Sequence, residues 1–172
     1  MPPNGVRIIL KKFGAKIFIG VNVEGINLKD GKVSEVVTDQ GTIQTEVVVN
    51  AAGMWGREVG KMVGLQLPVI PMAHLYILTK PIQGVTSKFP NLRDPDHLVY
   101  WREETGVLVT GGYERQPATF GMNGIPRDFK YQLLAPDWDR FAPLMENSIR
   151  RVPAIENAEI VKLLNGPEGF TP

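Results

Sequence analysis

Apolar positions change their spacing along this chain, and each change marks a different element. In residues 6–13 (VRIILKKF) Val6, Ile9, Leu10 and Phe13 fall on one helical face, and Gly14 supplies a stop. Residues 15–50 switch to branched residues cut by Asp30-Gly31 and Gln40-Gly41, which are hairpin signals. The pattern predicts a small antiparallel meander running into a strand at 47–50. Trp55 then opens a short helix to Val63, with Val59, Met62 and Val63 inward and Gly64 closing it.

Residues 67–79 (LPVIPMAHLYILT) read as extended, with Met72, His74 and Tyr76 on one face and Ala73, Leu75 and Ile77 on the other. Residues 98–102 and 107–111 pair as strands across a turn, so Tyr100 and Trp101 point to opposite faces. The longest helix is expected at 137–151, with Trp138, Phe141, Met145, Ile149 and Val152 inward. Pro143 complicates it, and a start near Ala142 would place that proline in the first turn. A last strand spans 158–164, and NGPEGFTP ends the chain on a turn motif, which suggests an internal piece of something larger.

Composition narrows the function classes. A chain of 172 residues can bury roughly 70% of its extended surface. Nineteen basic against 18 acidic residues leave a net charge of +1, which is no footprint for nucleic acid or an anionic membrane. The absence of cysteine removes thiolate catalysis, disulfides and Cys-ligated zinc, and two histidines make no metal site. No apolar stretch approaches the ~18 residues of a membrane span, and none follows MPPNGVR as a signal core.

The stretch VVVNAAGMW poses the main chemical question. Small residues at the carboxyl end of a parallel strand let a cofactor come close, or they let a helix pack tightly; the residues alone leave both readings open. Tyr76-x-x-x-Lys80 imitates a reductase Tyr-Lys couple, but on a strand the two lie some 13 Å apart and the pairing fails. No GxGxxG, GxxxxGK[ST] or GxSxG occurs, and no carboxylate pair stands out. His74 reads either as a structural hydrogen-bonder or as a near-neutral donor or base facing a pocket, with Tyr100 beside it as a polar-tipped wall.

VVVNAAGMW, PMAHLY, LVYWREETGVLVTGGYE, DWDRFAPLMENSIRRVP and NGPEGFTP, in this order, resemble the FAD-dependent amine oxidoreductases of the D-amino-acid-oxidase-like superfamily. The likeness spans nearly the whole chain and is nearest the sarcosine and dimethylglycine dehydrogenase branch. It implies an α+β fold: a fragment of a FAD-binding α/β domain, as meander plus one parallel strand, with a mostly antiparallel-sheet substrate domain packed by helices. The implied boundaries are 1–66 for the partial FAD-binding domain, 67–160 for the substrate domain and 161–172 for the return.

The resemblance further implies oxidation of an N-methylated amino acid by hydride transfer to FAD, the iminium product being captured by water or by tetrahydrofolate in a following domain. His74 and Tyr100 would be the catalytic residues. Val23 would meet the adenine edge through its backbone, Ala51, Ala52, Gly53 and Trp55 the adenosine and pyrophosphate side, and Phe170 and Thr171 the flavin's pyrimidine side. Half of the FAD site would lie outside this chain. Met54 stands where Pro is frequent in relatives, and Leu75 where they often carry Gln, the latter leaving substrate choice open. The implied partner is a small-molecule amine, with no membrane span or nucleic acid. The compartment would be the cytoplasm for a bacterial or archaeal source and the mitochondrial matrix for a eukaryotic one. The branch includes the pyruvate dehydrogenase phosphatase regulatory subunit, so a non-catalytic regulatory module of the same fold is the alternative.

Overall fold

The computed structural model describes residues 4–172, with side chains described from Ile8 onward. The chain divides into two compact units, Met1–Asn50 with Val59–Gln66, and Ala51–Glu58 with Leu67–Pro172, and each is described by itself. Among the described residues no helix is long and apolar enough to cross a membrane.

The first unit opens with α1 (Asn4–Lys12), the helix expected at 6–13. Ile9, Leu10 and Phe13 of its apolar stripe are exposed, while the side chain of Val6 lies outside the described residues. The meander follows as β1 (Val23–Lys29), β2 (Lys32–Thr38) and β3 (Gly41–Gln44), antiparallel and in chain order. Asp30 and Gly31 both take positive φ, 53° and 74°, as the two central residues of a tight hairpin turn require.

The strand expected at 47–50 is absent from both sheets, and the described strands pair only antiparallel. The reason is a missing ladder. After β3 the Thr45 hydroxyl bonds to the Val47 carbonyl at 2.9 Å, and Val47 and Val49 are left 74% and 83% exposed. An apolar run becomes a strand only where a neighbour accepts its backbone groups. The helix expected from Trp55 also differs: a 3-10 turn at Gly53–Trp55 leads into a shorter α2 (Gly56–Lys61).

The second unit is a five-stranded antiparallel sheet in the order β5-β6-β7-β4-β8. Its strands are β4 (Ile70–Thr79), β5 (Leu92–Asp94), β6 (Val99–Glu104), β7 (Val107–Gly112) and β8 (Ile160–Phe170). β8 runs well past the expected end at 164, through Pro167 and two glycines. It can, because it is an edge strand. Ala73, opposite Pro167, donates its N–H away from β8 to the Ala118 carbonyl at 2.8 Å, so the proline nitrogen sits on the open edge where no donor is needed.

Period-2 alternation sorts the sheet into two faces. Leu75, Ile77, Val99, Trp101, Leu108 and Leu163 form one, and α3 (Trp138–Arg151) lays Phe141 and Leu144 against them. Each of these buried side chains contributes about 1.5–3 kcal/mol. The helix starts at Trp138, with Asp137 as its cap accepting the Arg140 N–H at 3.0 Å, and keeps Pro143 in its interior rather than beginning at Ala142. Its buried line is Phe141, Leu144 and Ser148, with Met145, Ile149 and Val152 flanking and Trp138 half exposed, a rotation of the expected stripe toward the sheet.

Gly112 belongs to this packed face. A Cβ there would collide with the Leu98 carbonyl and come within 2.7 Å of Leu144 Cδ2. Leu75 belongs to it too, fully buried, so it cannot line a pocket shared with His74. The expected effect of a missing amide at that position on substrate choice is therefore corrected: an amide there would enter an apolar core.

Candidate functional site

The opposite face of the same sheet carries the chemistry. Cross-strand register sets Arg93, Tyr100, Gly111, Tyr76 and Leu164 in one row across all five strands. One step along β4, His74 faces Gly166, and Glu168 follows on β8. Gly111 is the floor of the row. A Cβ on it would fall 2.5 Å from the Tyr100 hydroxyl and 2.7 Å from Tyr76 Cβ, so the two tyrosines close over a position that must have no side chain.

His74 and Tyr100, expected to meet, do so: Nε2 and Oη are 3.0 Å apart. Their rings are nearly parallel at 6.0 Å, and Tyr113 closes the group at 4.9 Å from the imidazole and 6.1 Å from Tyr100. Phe170 meets Tyr113 edge-on at 6.3 Å, and the Arg93 guanidinium lies over the Tyr113 ring at 5.4 Å. His74, Tyr100, Tyr113 and Arg93, with Tyr76 and Glu168, line a cleft of about 510 Å³. That volume suits a small ligand.

Tyr100 is held from behind. Its carbonyl accepts the Thr110 hydroxyl at 3.1 Å, and that hydroxyl lies 3.4 Å from the buried Ser148 hydroxyl of α3. Arg93 precedes a turn in which Asp94 accepts the N–H groups of Asp96 and His97, each at 3.1 Å, and meets Arg151 at 3.3 Å. The His97 N–H holds the Asp94 carboxyl below its ordinary range. The Tyr-Lys decoy is resolved as expected, since Lys80 pairs with Glu159 at 2.6 Å while Tyr76 stays in the row.

Burial pushes the Tyr100 phenol up to about 12, so it keeps its proton at neutral pH. Burial also holds the His74 imidazole below its ordinary value, with the Glu168 carboxylate pulling it partly back. His74 Nδ1 is buried and has no partner among the described residues. The unfolded chain therefore binds a proton in a window beneath pH 6.5 where the folded chain does not. Stability from the neutral imidazole is present above pH 6.5 and is lost as pH falls through the depressed folded value. The melting midpoint is expected to drop further between about pH 7 and 5 in the wild type than in His74→Gln. Parallel drops in the two proteins would exclude this assignment.

The other expected positions sit apart from this cleft. Phe170 meets Tyr113 of the cleft edge-on without lining it, and Thr171 is exposed just beyond. Ala51, Ala52 and Gly53 enter the 3-10 turn that ends at Trp55, and this turn presses on β8: a Cβ at Gly169 would lie 3.1 Å from Met54 Cα. Val23 belongs to the first unit, at the start of edge strand β1. Reading by sequence alone missed Tyr113, Arg93 and Glu168. Period-2 alternation past Gly111 could have reached Tyr113, whereas Arg93 depended on the pairing of β5 with β6 and Glu168 looked like part of a turn.

A flavin implied by the resemblance can be tested against this geometry. Gly53 is exposed at φ 56°, a Cβ there would meet nothing within 4 Å, and Ala51 beside it offers only a methyl. This surface would admit a group lying directly on the backbone. The free outer edge of β1 suits a ligand held through the main chain of Val23. Each of these local surfaces, taken by itself, fits a contact of that kind. Among the described residues no cluster of His, Cys, Asp or Glu could hold a metal ion.

The family model for FAD dependent oxidoreductase matches residues 4–172. Mitochondrial sarcosine dehydrogenase of Mus musculus is 38% identical over 164 residues, covering 92% of this chain and 18% of that protein. Mitochondrial dimethylglycine dehydrogenase of Mus musculus is 34% identical over 170 residues, covering 94% of this chain and 20% of that protein. The chain thus spans about a fifth of the length of these relatives. Among solved structures, L-proline dehydrogenase from P. horikoshii superposes with a TM-score of 0.77 at 22% identity, covering 96% of this chain and 42% of that one, which shows a shared fold.

Proposed function

Since the chain belongs to the family of FAD-dependent oxidoreductases, we propose that it is the substrate-facing part of an enzyme that oxidises an N-methylated amino acid of the sarcosine or dimethylglycine kind. In this reading residues 67–160 form the substrate domain, and residues 1–66 and 161–172 belong to the cofactor-binding domain. Ala51, Ala52, Gly53 and Trp55 hold the adenosine and pyrophosphate side of FAD, Val23 its adenine, and Phe170 and Thr171 the pyrimidine side. When bound, FAD supplies an acceptor for the two electrons that leave the carbon next to the amine nitrogen.

The observation that carries the reading is the 3.0 Å contact between His74 Nε2 and Tyr100 Oη at the bottom of an aromatic cleft. Oxidation of an amine needs its nitrogen lone pair, so an ammonium must first lose a proton. Tyr100 Oη accepts a hydrogen bond from the substrate nitrogen while its own proton points to Nε2 of the neutral imidazole. As the ammonium proton moves to Oη, the phenolic proton moves to Nε2, and the charge arrives beside the Glu168 carboxylate. The rings of Tyr76 and Tyr113 line the same cleft beside this relay.

The test is anaerobic mixing of the full-length protein with sarcosine or dimethylglycine. Loss of the oxidised-flavin absorbance on a timescale of seconds is the expected result. A flavin that stays oxidised with every N-methylated amino acid offered would overturn the proposal. Capture of the product by tetrahydrofolate is a further part of the same proposal, read out as formaldehyde withheld from solution when tetrahydrofolate is added, beyond what the same tetrahydrofolate removes from free formaldehyde without the protein.

A further inference from the structure

Glu168 lines the cleft two residues along the β8 register from Gly166, which faces His74, and so stands on the same sheet face at about 7 Å along the strand. It makes no ion pair among the described residues, although Arg93 and Arg102 line the same cleft. Arg102 is engaged by Glu104 at 2.9 Å, and Arg93 lies over the Tyr113 ring. Beside this carboxylate are the π systems of Tyr100, Tyr113 and His74, with centroids 4.9 to 6.1 Å apart.

We propose that Glu168 and the rings of Tyr100 and Tyr113 form a subsite for a methylated ammonium group. The inference rests on the reading that this cleft takes an amine, and it names what selects that amine. A methylated ammonium is large and weakly hydrated, so it gains from ring faces that a small hydrated cation reaches less well. Guanidinium packing on Tyr113 shows that this ring already receives a cation on one side. Arg93 stands across the row from β8, so a zwitterion enters with its carboxylate toward Arg93 and its nitrogen toward Glu168.

The test is calorimetric titration of the full-length protein with trimethylglycine and with its carbon isostere, 3,3-dimethylbutanoate, which keeps the carboxylate but has a neutral carbon in place of the quaternary nitrogen. Neither can be oxidised, because neither carries a nitrogen lone pair, so the readout is binding alone. Wild type is expected to prefer trimethylglycine. Glu168→Gln, at an exposed position that tolerates exchange, is expected to weaken trimethylglycine about fivefold and to leave the isostere within about twofold, the scale of a partly screened charge contact with a cation–π component. Tyr113→Leu is expected to act in the same direction. Equal affinity of the wild type for the two probes, equal losses for both in the variants, or no change in either variant would overturn the subsite. Its fate is separable from that of the catalytic reading. A Glu168-dependent preference in a protein whose flavin stays oxidised defeats only the catalysis, and rapid flavin reduction without that preference defeats only the subsite.

Discussion

Gly112→Ala is expected to destabilise the second unit by about 3 kcal/mol and to lower its melting midpoint by roughly 10 °C. Gly112 pairs with Val99 at the end of β7 and turns its missing side chain toward α3. A methyl there meets the Leu98 carbonyl oxygen on one side and Leu144 Cδ2 at 2.7 Å on the other. Neither gives way easily. Leu98 has φ 60°, and its carbonyl accepts the Tyr113 N–H at 2.9 Å; Leu144 is 3% exposed and packed in the core. Gly166→Ala is the control, because its Cβ would meet only Leu133 Cδ2 at an ordinary 3.7 Å and its φ is not positive. That variant is expected to melt within about 0.5 kcal/mol of the wild type. Equal midpoints for the two variants would refute the packing argument.

Tyr100→Phe in the full-length protein is expected to slow anaerobic flavin reduction by about 10²-fold while leaving flavin content per chain unchanged. The phenylalanine keeps the ring and its packing but removes the oxygen that lies 3.0 Å from His74 Nε2. His74→Ala is expected to cost a similar factor, and the double variant little more than either single one, because two groups that pass one proton act as a unit. Gly111→Ala offers a check that changes neither residue. Its methyl would lie 2.5 Å from Oη and 2.7 Å from Cζ of Tyr100, so the ring must swing from His74 and the rate must fall with it. Unchanged reduction rates in both single variants would defeat the assignment of His74 and Tyr100.

Alternation carried much of the site. Once β4 is read as a strand, Leu75 and Ile77 go to one face and His74 and Tyr76 to the other, and the structure keeps that division. The hairpin of β6 and β7 was visible in the same way, which put Tyr100 opposite Trp101. The long helix was legible too, although its face was turned: Leu144 and Ser148, rather than Trp138, complete the buried line with Phe141. Trp138 invites burial by size. Its place in the first turn leaves it half exposed in a surface hollow that it shares with Asn165 of β8, and helical periodicity carries no information about how closely a neighbouring sheet covers each turn.

Local pattern failed where an element depends on a distant partner. VVVN has the composition of a strand, but none of the described residues offers it a ladder. NGPEGF has the composition of a turn, yet pairing with β4 along its length and a free edge for Pro167 make it strand.

The amino-acid sequence by itself therefore determined the periodicities, the hairpins, the two faces of each strand and a pattern of residues characteristic of one oxidoreductase family. Tertiary structure alone decided which strands adjoin, and with that the 3.0 Å meeting of His74 and Tyr100, the place of Glu168 and Tyr113 in the cleft, and the need for glycine at both 111 and 112. The physical reason is that a side chain's face is set by its own backbone, over distances of a few residues. Its neighbours across a sheet are set by register between segments 26 to 94 residues apart, as from His74 to Tyr100 and to Glu168, and no local spacing encodes that.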